Sequence, residues 1–268
     1  MPKLDSNAAW IEATGIVSAN RDVLFTLAGV FFFLPGLAAT VLIEKVPIGP
    51  NMKPEQARAL MLEFYAHNWW ILLGMIILLL IGFLAIMTLM RDSRRPTVGE
   101  AIQASAGGTL TYLAAVFLLL LSITLVGGIL MGLGLAISPA LGATLLWAVF
   151  VFFGIRALLI SPLVAVEGMR NPLAVLGRSW RLTGGNFWRL WSFVVLLSLP
   201  FLLGFLIVRW ASGAILAVIV EPGTQELVEA IINGAIITVA LVYFAGVIAA
   251  IHRQLGGPAA ADLSATFE

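Results

Sequence analysis

The 268-residue chain has no cysteine, two histidines, and charged residues at only 11% of the total. The first absence excludes disulfides, thiolate metal sites and a cysteine nucleophile together. His67 and His252 show no H-x-x-x-H or H-E-x-x-H spacing, so no histidine metal motif is expected. The glycine pairs Gly107-Gly108 and Gly184-Gly185 lack the lysine and the strand-turn-helix setting of a phosphate loop. A formal net charge of +1 makes no case for a nucleic-acid partner, and none is expected. The scarcity of charge excludes most. Ordinary globular domains carry roughly 25% charged residues, and 11% cannot cover a soluble surface of this size.

What is present is apolar sequence, 61% of the chain, in long blocks. Ile71 to Met90 holds no charge over 20 residues, and Leu110 to Ile155 none over 46. Runs of about 18 or more apolar residues match the bilayer core when helical. Lipid offers no partner to an open backbone amide, so such runs must be helical. The expected fold is an all-α integral membrane protein with six transmembrane helices. They fall near 23–43, 69–90, 109–136, 141–166, 190–208 and 228–251. Pro35, Pro162 and Pro200 are expected to kink their spans. Trp210 to Val220 reads either as an extension of the fifth helix or as a surface segment. The polar start, MPKLDSNAAW, gives no signal-peptide pattern.

One assignment of sides gathers Lys3, Arg21, Arg91, Arg94, Arg95, Arg170, Arg178, Arg181, Arg189 and Arg253 together. Lys45, Lys53, Arg58 and Arg209 fall opposite. The positive-inside rule then predicts cytoplasmic N- and C-termini.

The most basic loop, RNPLAVLGRSWRLTGGNFWRL from 170 to 190, sorts as a short helix. Asn171 and Pro172 supply the start, and Gly184-Gly185 the stop. Leu173, Val175, Leu176, Ser179, Trp180, Leu182 and Thr183 share one arc, with Arg178 and Arg181 opposite. An amphipathic cytoplasmic surface helix is expected, its arginines toward phosphates and its indoles at the interface. A proline, a polar stretch and a glycine pair also precede the third span, as PTVGEAIQASAGG. We therefore expect three repeated units of surface helix plus helical hairpin, near 5–91, 92–170 and 171–254. Together 1–254 form one membrane domain, with 255–268 a short tail.

Arg156 is the sharpest single residue, an ionisable group inside a span. Snorkelling or a structural pair is the leading expectation for it. With Arg178, Arg181, Arg189, Trp180 and Trp188 it forms the candidate lipid- or phosphate-binding set. Glu167 is expected to meet Arg178 or Arg181 across the loop, as a clamp rather than chemistry. Pro162 and Asn186 are further clamp candidates. Gly128 and Gly132 are spaced to let helices approach closely. Both histidines read as interfacial. No catalytic constellation, metal site or cofactor is expected.

The run Arg156 to Trp191 resembles the membrane domain that accompanies some bacterial glycerophosphoryl diester phosphodiesterases, and related stand-alone inner-membrane proteins. The residues carrying the likeness are Arg156, Pro162, Glu167, Ser179, Trp180, Leu182, Thr183, Gly185, Asn186 and Phe187. They span roughly 35 residues; elsewhere only the six-span layout agrees. The resemblance implies a bacterial inner-membrane location and a helical bundle with surface helices. It confers no hydrolase activity, which belongs to a separate soluble barrel for which this chain has no room.

The expected function is therefore non-enzymatic. The protein is expected to bind or organise lipid, or a lipid-linked phosphate, at the cytoplasmic leaflet, with membrane lipids, anionic ones among them, as partners. Two alternatives remain open: a transporter or lipid flippase, and a membrane anchor for a separately encoded hydrolase.

Overall fold

The computed structural model describes residues 2–43, 46–47, 49, 52–90 and 97–256. Among these there are helices and no strand. The chain opens with α1 (Ser6–Ala19) and α2 (Arg21–Ala28), a π-helical turn (Gly29–Phe33) and α3 (Leu34–Leu42). There follow α4 (Pro54–Leu89), α5 (Val98–Leu135), α6 (Pro139–Arg156), α7 (Ile160–Ala165), α8 (Pro172–Leu182), α9 (Phe187–Ile219) and α10 (Pro222–Gly256). Six stretches are long and apolar enough to cross a membrane: Arg21–Leu42, Pro54–Leu89, Val98–Leu135, Pro139–Ala165, Phe187–Ile219 and Gly223–Gly256. Each overlaps its expected span, and most run past it. Trp210 to Ile219 continues α9. The basic residues Arg91, Arg94 and Arg95, with Pro96, Lys45 and the tail after Gly256, lie outside the described residues.

The three prolines act differently. Pro162 would clash with the carbonyl of Leu158, and the helix breaks there, between Arg156 and Ile160. Pro35 follows the π-helical turn, in which Leu34 N–H donates to Gly29 O. That wider register eases the fit of a ring with no N–H to give. Pro200 lies inside α9, which runs unbroken from Phe187 to Ile219, so no helix break accompanies it.

The spans close a ring in which α4 meets α5, α5 meets α6, α6 meets α9, and α9 meets α10. The first span completes it between α10 and α4. Burial is most continuous at the end where α1, α8 and the close of α10 gather. In α4 the buried residues run from Gly82 to Thr88, and none is buried before them. At the same end α7 lodges against α4, α5, α8 and α10, with Ile160 to Val164 all buried.

Two expectations are corrected. Gly128 and Gly132 face open space; the close approach of α5 to α6 is made by Gly127 and Gly134. A Cβ on Gly134 would lie 2.7 Å from the Gly142 Cα, and one on Gly127 2.9 Å from Leu146 Cδ1. Seven residues, about two helical turns, separate this pair, which keeps both on one face of α5. Gly107 and Gly108 also do not end a surface helix, because both lie inside the 38-residue α5. Among the described residues, a separate short helix precedes a span at α1 and at α8 only.

Candidate functional site

The loop between α7 and α8 is built by its sequence. Gly168 takes a positive φ of 69°, and Met169 N–H reaches back to Leu163 O at 3.1 Å, a glycine-dependent helix stop. Three residues later Asn171 caps α8, its side chain accepting from the amides of Leu173 and Ala174 at 3.0 and 3.2 Å. The short loop brings Glu167 to the flank of α8. Arg178 Nε donates to Glu167 Oε2 at 2.6 Å and Nη2 to Oε1 at 2.9 Å. Of the two expected partners, Arg178 is the one engaged, in the side-on geometry that suits guanidinium and carboxylate.

A third group joins them. His252 Nε2 lies 3.0 Å from Glu167 Oε1. A carboxylate only accepts, so the contact needs the proton on Nε2. His252 is 9% exposed and sits inside this cluster, which corrects its expected interfacial place. Burial pushes the Glu167 carboxyl up, but the hydrogen bonds of His252 and Arg178 outweigh it and hold the group below its ordinary value. The same hydrogen bond to Glu167 raises Arg178.

Arg156 does not meet Glu167. Its Nη1 donates to Trp180 O at 3.2 Å, and Ser179 Oγ donates to Arg156 O at 2.6 Å. The end of α6 and the last turn of α8 are thus tied by reciprocal bonds. The guanidinium carbon lies 5.5 Å from the Phe152 ring centre and 5.6 Å from that of Trp180, so both rings shield the charge. Its Nε is buried without a hydrogen-bond partner. This is the structural pairing expected of the residue.

A common rule covers further arginines. Arg170 Nη1 donates to Val164 O at 3.1 Å, at the end of α7, and Arg253 Nη2 donates to Met90 O, at the end of α4. With Arg156 on Trp180 O, three arginines serve carbonyls that helix C-termini leave unpaired. Arg253 also pairs with Glu12 of α1 at 3.3 Å. Three of the four arginines in the 170–190 segment, Arg170, Arg178 and Arg189, also bond another part of the chain while remaining exposed or half-exposed.

Asn186 joins the N-terminal segment to the start of α9. Its Oδ1 accepts from Leu4 N–H at 3.0 Å, and its Nδ2 donates to Pro2 O at 2.9 Å. Gly185, at φ 74°, makes the turn that presents it. Arg189 Nη1 adds a bond to Leu4 O at 3.0 Å, and Gln254 Oε1 accepts from Asp5 N–H at 3.1 Å. Leu4 and Asn186 are both buried, each about 2% exposed.

Arg181 and Trp188 stand apart. Arg181 is exposed and, among the described residues, has no hydrogen bond or ion pair. Trp188 is 70% exposed and meets Trp191 edge-on at 5.8 Å. Sequence reading missed His252, Arg170 and Arg253 as members of the network. The partners of His252 and Arg253 lie 85 or more residues away in the chain, where no local signal reaches.

Comparison with known protein families, curated proteins and solved structures found no match to this chain. The six apolar helices define the class: a multi-pass α-helical membrane protein.

Proposed function

We propose that this protein binds or organises lipid, or a lipid-linked phosphate, at the cytoplasmic leaflet of a bacterial inner membrane, and catalyses no reaction itself. The carrying observation is the corner between α8 and α9. There Arg181 is the one arginine of the 170–190 segment with no acceptor among the described residues, and Trp188 stands 70% exposed; Leu173, at the other end of α8, is 67% exposed. A free cation among exposed apolar side chains suits a headgroup layer, where each basic residue contributes about 1 kcal/mol of attraction to an anionic surface. Lys3, Arg170, Arg178, Arg181, Arg189 and Arg253 belong to the end that holds α1, α8 and the close of α10, which supports cytoplasmic termini.

The test is phospholipid retained by the full chain purified in mild detergent, counted by mass spectrometry. Loss of several-fold of the retained anionic lipid in a double variant, R181Q with W188L, is expected. Unchanged retention would overturn the reading. Hydrolysis of a glycerophosphodiester by the pure, metal-supplied protein would overturn its non-enzymatic half.

A further inference from the structure

Beside the first turns of α9 lies a polar cleft of about 580 Å³, lined by Lys3, Asp5, Ser6, Asn7, Arg189 and Ser192. We infer that it is a headgroup site for an amine-bearing phosphodiester, the phosphoethanolamine group of a membrane lipid. The phosphate lies between Lys3 and Arg189, and the ammonium meets Asp5. This rests on the lipid reading above and names the headgroup.

The donors converge and are unspent. Among the described residues the side chains of Lys3, Ser6 and Asn7 make no hydrogen bond, and Arg189 gives only Nη1 to Leu4 O. Its remaining N–H groups and the Lys3 ammonium are the two cations of the cleft, and both suit phosphate oxygens. The amides opening α1 add little, since Asp5 already caps them: its Oδ1 accepts from Ala8 N–H at 3.0 Å. That bond leaves Asp5 Oδ2 unspent, a single negative charge in the same cleft as two positive ones. A simple anion would leave this carboxylate facing it. A zwitterion gives both signs a partner.

Position and rigidity agree. Arg189 sits in the first turn of α9 between Trp188 and Trp191, where indoles mark the headgroup level of a bilayer. The segment carrying Lys3 and Asp5 is fixed by the Asn186, Arg189 and Gln254 bonds, so little ordering remains to be done on binding.

The experiment titrates the full chain in detergent with short-chain phosphatidylethanolamine, phosphatidylglycerol and phosphatidylcholine, followed by native mass spectrometry. Phosphatidylethanolamine is expected to bind most tightly, and K3Q to weaken it about tenfold, one charge-assisted contact. K3Q removes no bond within the described protein, so its fold is untouched. D5N keeps the cap on α1 and is expected to erase the preference over phosphatidylglycerol while leaving phosphatidylglycerol binding in place. R189Q should act like K3Q. Unchanged binding in K3Q and R189Q, or a preference that survives D5N, overturns the site. Soluble O-phosphoethanolamine binding as tightly as the lipid would also overturn it, by naming a free metabolite as ligand. If the R181Q with W188L variant still loses lipid while K3Q does not, only the cleft assignment fails. If wild type retains no phospholipid, the broader reading fails with it.

Discussion

Glu167 and Arg178 meet side-on through two hydrogen bonds of 2.6 and 2.9 Å, and so fasten the loop after α7 to the flank of α8. His252 closes the cluster from α10. The loop after α7, α8 and the distant α10 are held by one carboxylate whose side chain is 23% exposed.

Removing that carboxylate should loosen the corner. E167A leaves Arg178 and His252 without their acceptor, and about 1 kcal/mol of stability should be lost, the pair being partly exposed. Thermal unfolding in detergent measures it, and hydrogen exchange should rise first in α8. No change in either would show that the contact is dispensable.

The same group makes an acid dependence. A carboxyl held below its ordinary value binds fewer protons folded than unfolded. Its stabilisation is complete above the ordinary value and is lost as pH falls through that value to the lower folded one. E167Q should therefore flatten the decline of melting temperature on acidification. An equally steep decline in E167Q would assign the effect elsewhere.

N186A should free the N-terminal segment. Leu4 N–H would lose its acceptor at a buried position, a penalty of roughly 1–3 kcal/mol borne locally. Faster exchange and proteolysis within residues 2–8 are expected, with the spans unaffected.

Glycine substitutions separate the two faces of α5. G134A would press a methyl into the Gly142 backbone and should destabilise by roughly 1–3 kcal/mol. G128A and G132A meet nothing within 4 Å and should be neutral or gain up to about 1 kcal/mol in helix propensity. Melting temperatures in one detergent rank the three.

R156A should loosen α8 from α6 by leaving Trp180 O only its 3.3 Å bond from Thr183 Oγ1 and two rings without the cation, at roughly 1–3 kcal/mol. R156K keeps the charge but not the planar fork, and should recover only part of the loss. Exchange at the last turn of α8 reads both.

Much of this architecture was legible because lipid simplifies the code. Long apolar runs located all six crossing helices, and Asn171, Pro172 and Gly185 marked α8 by local chemistry alone. Glu167 could be given two partners but not one. Arg178 and Arg181 lie three residues apart on α8, and only the path of the loop decides which faces the carboxylate. His252 stayed hidden because its partner is 85 residues away on another element. The glycine seam was misplaced for a related reason: the small-residue spacing at 128 and 132 is real, but the direction of α6 selects the face that is used. The arginines that bridge elements were the deepest surprise. A helix terminus that needs a donor is visible in sequence, whereas the side chain that folds back to supply it is not.

The wedge of Ile160 to Val164, shut in by α4, α5, α8 and α10, has a mechanical consequence. α7 cannot shift without repacking against four other helices at once, and so couples α4, α5, α8 and α10 to one another.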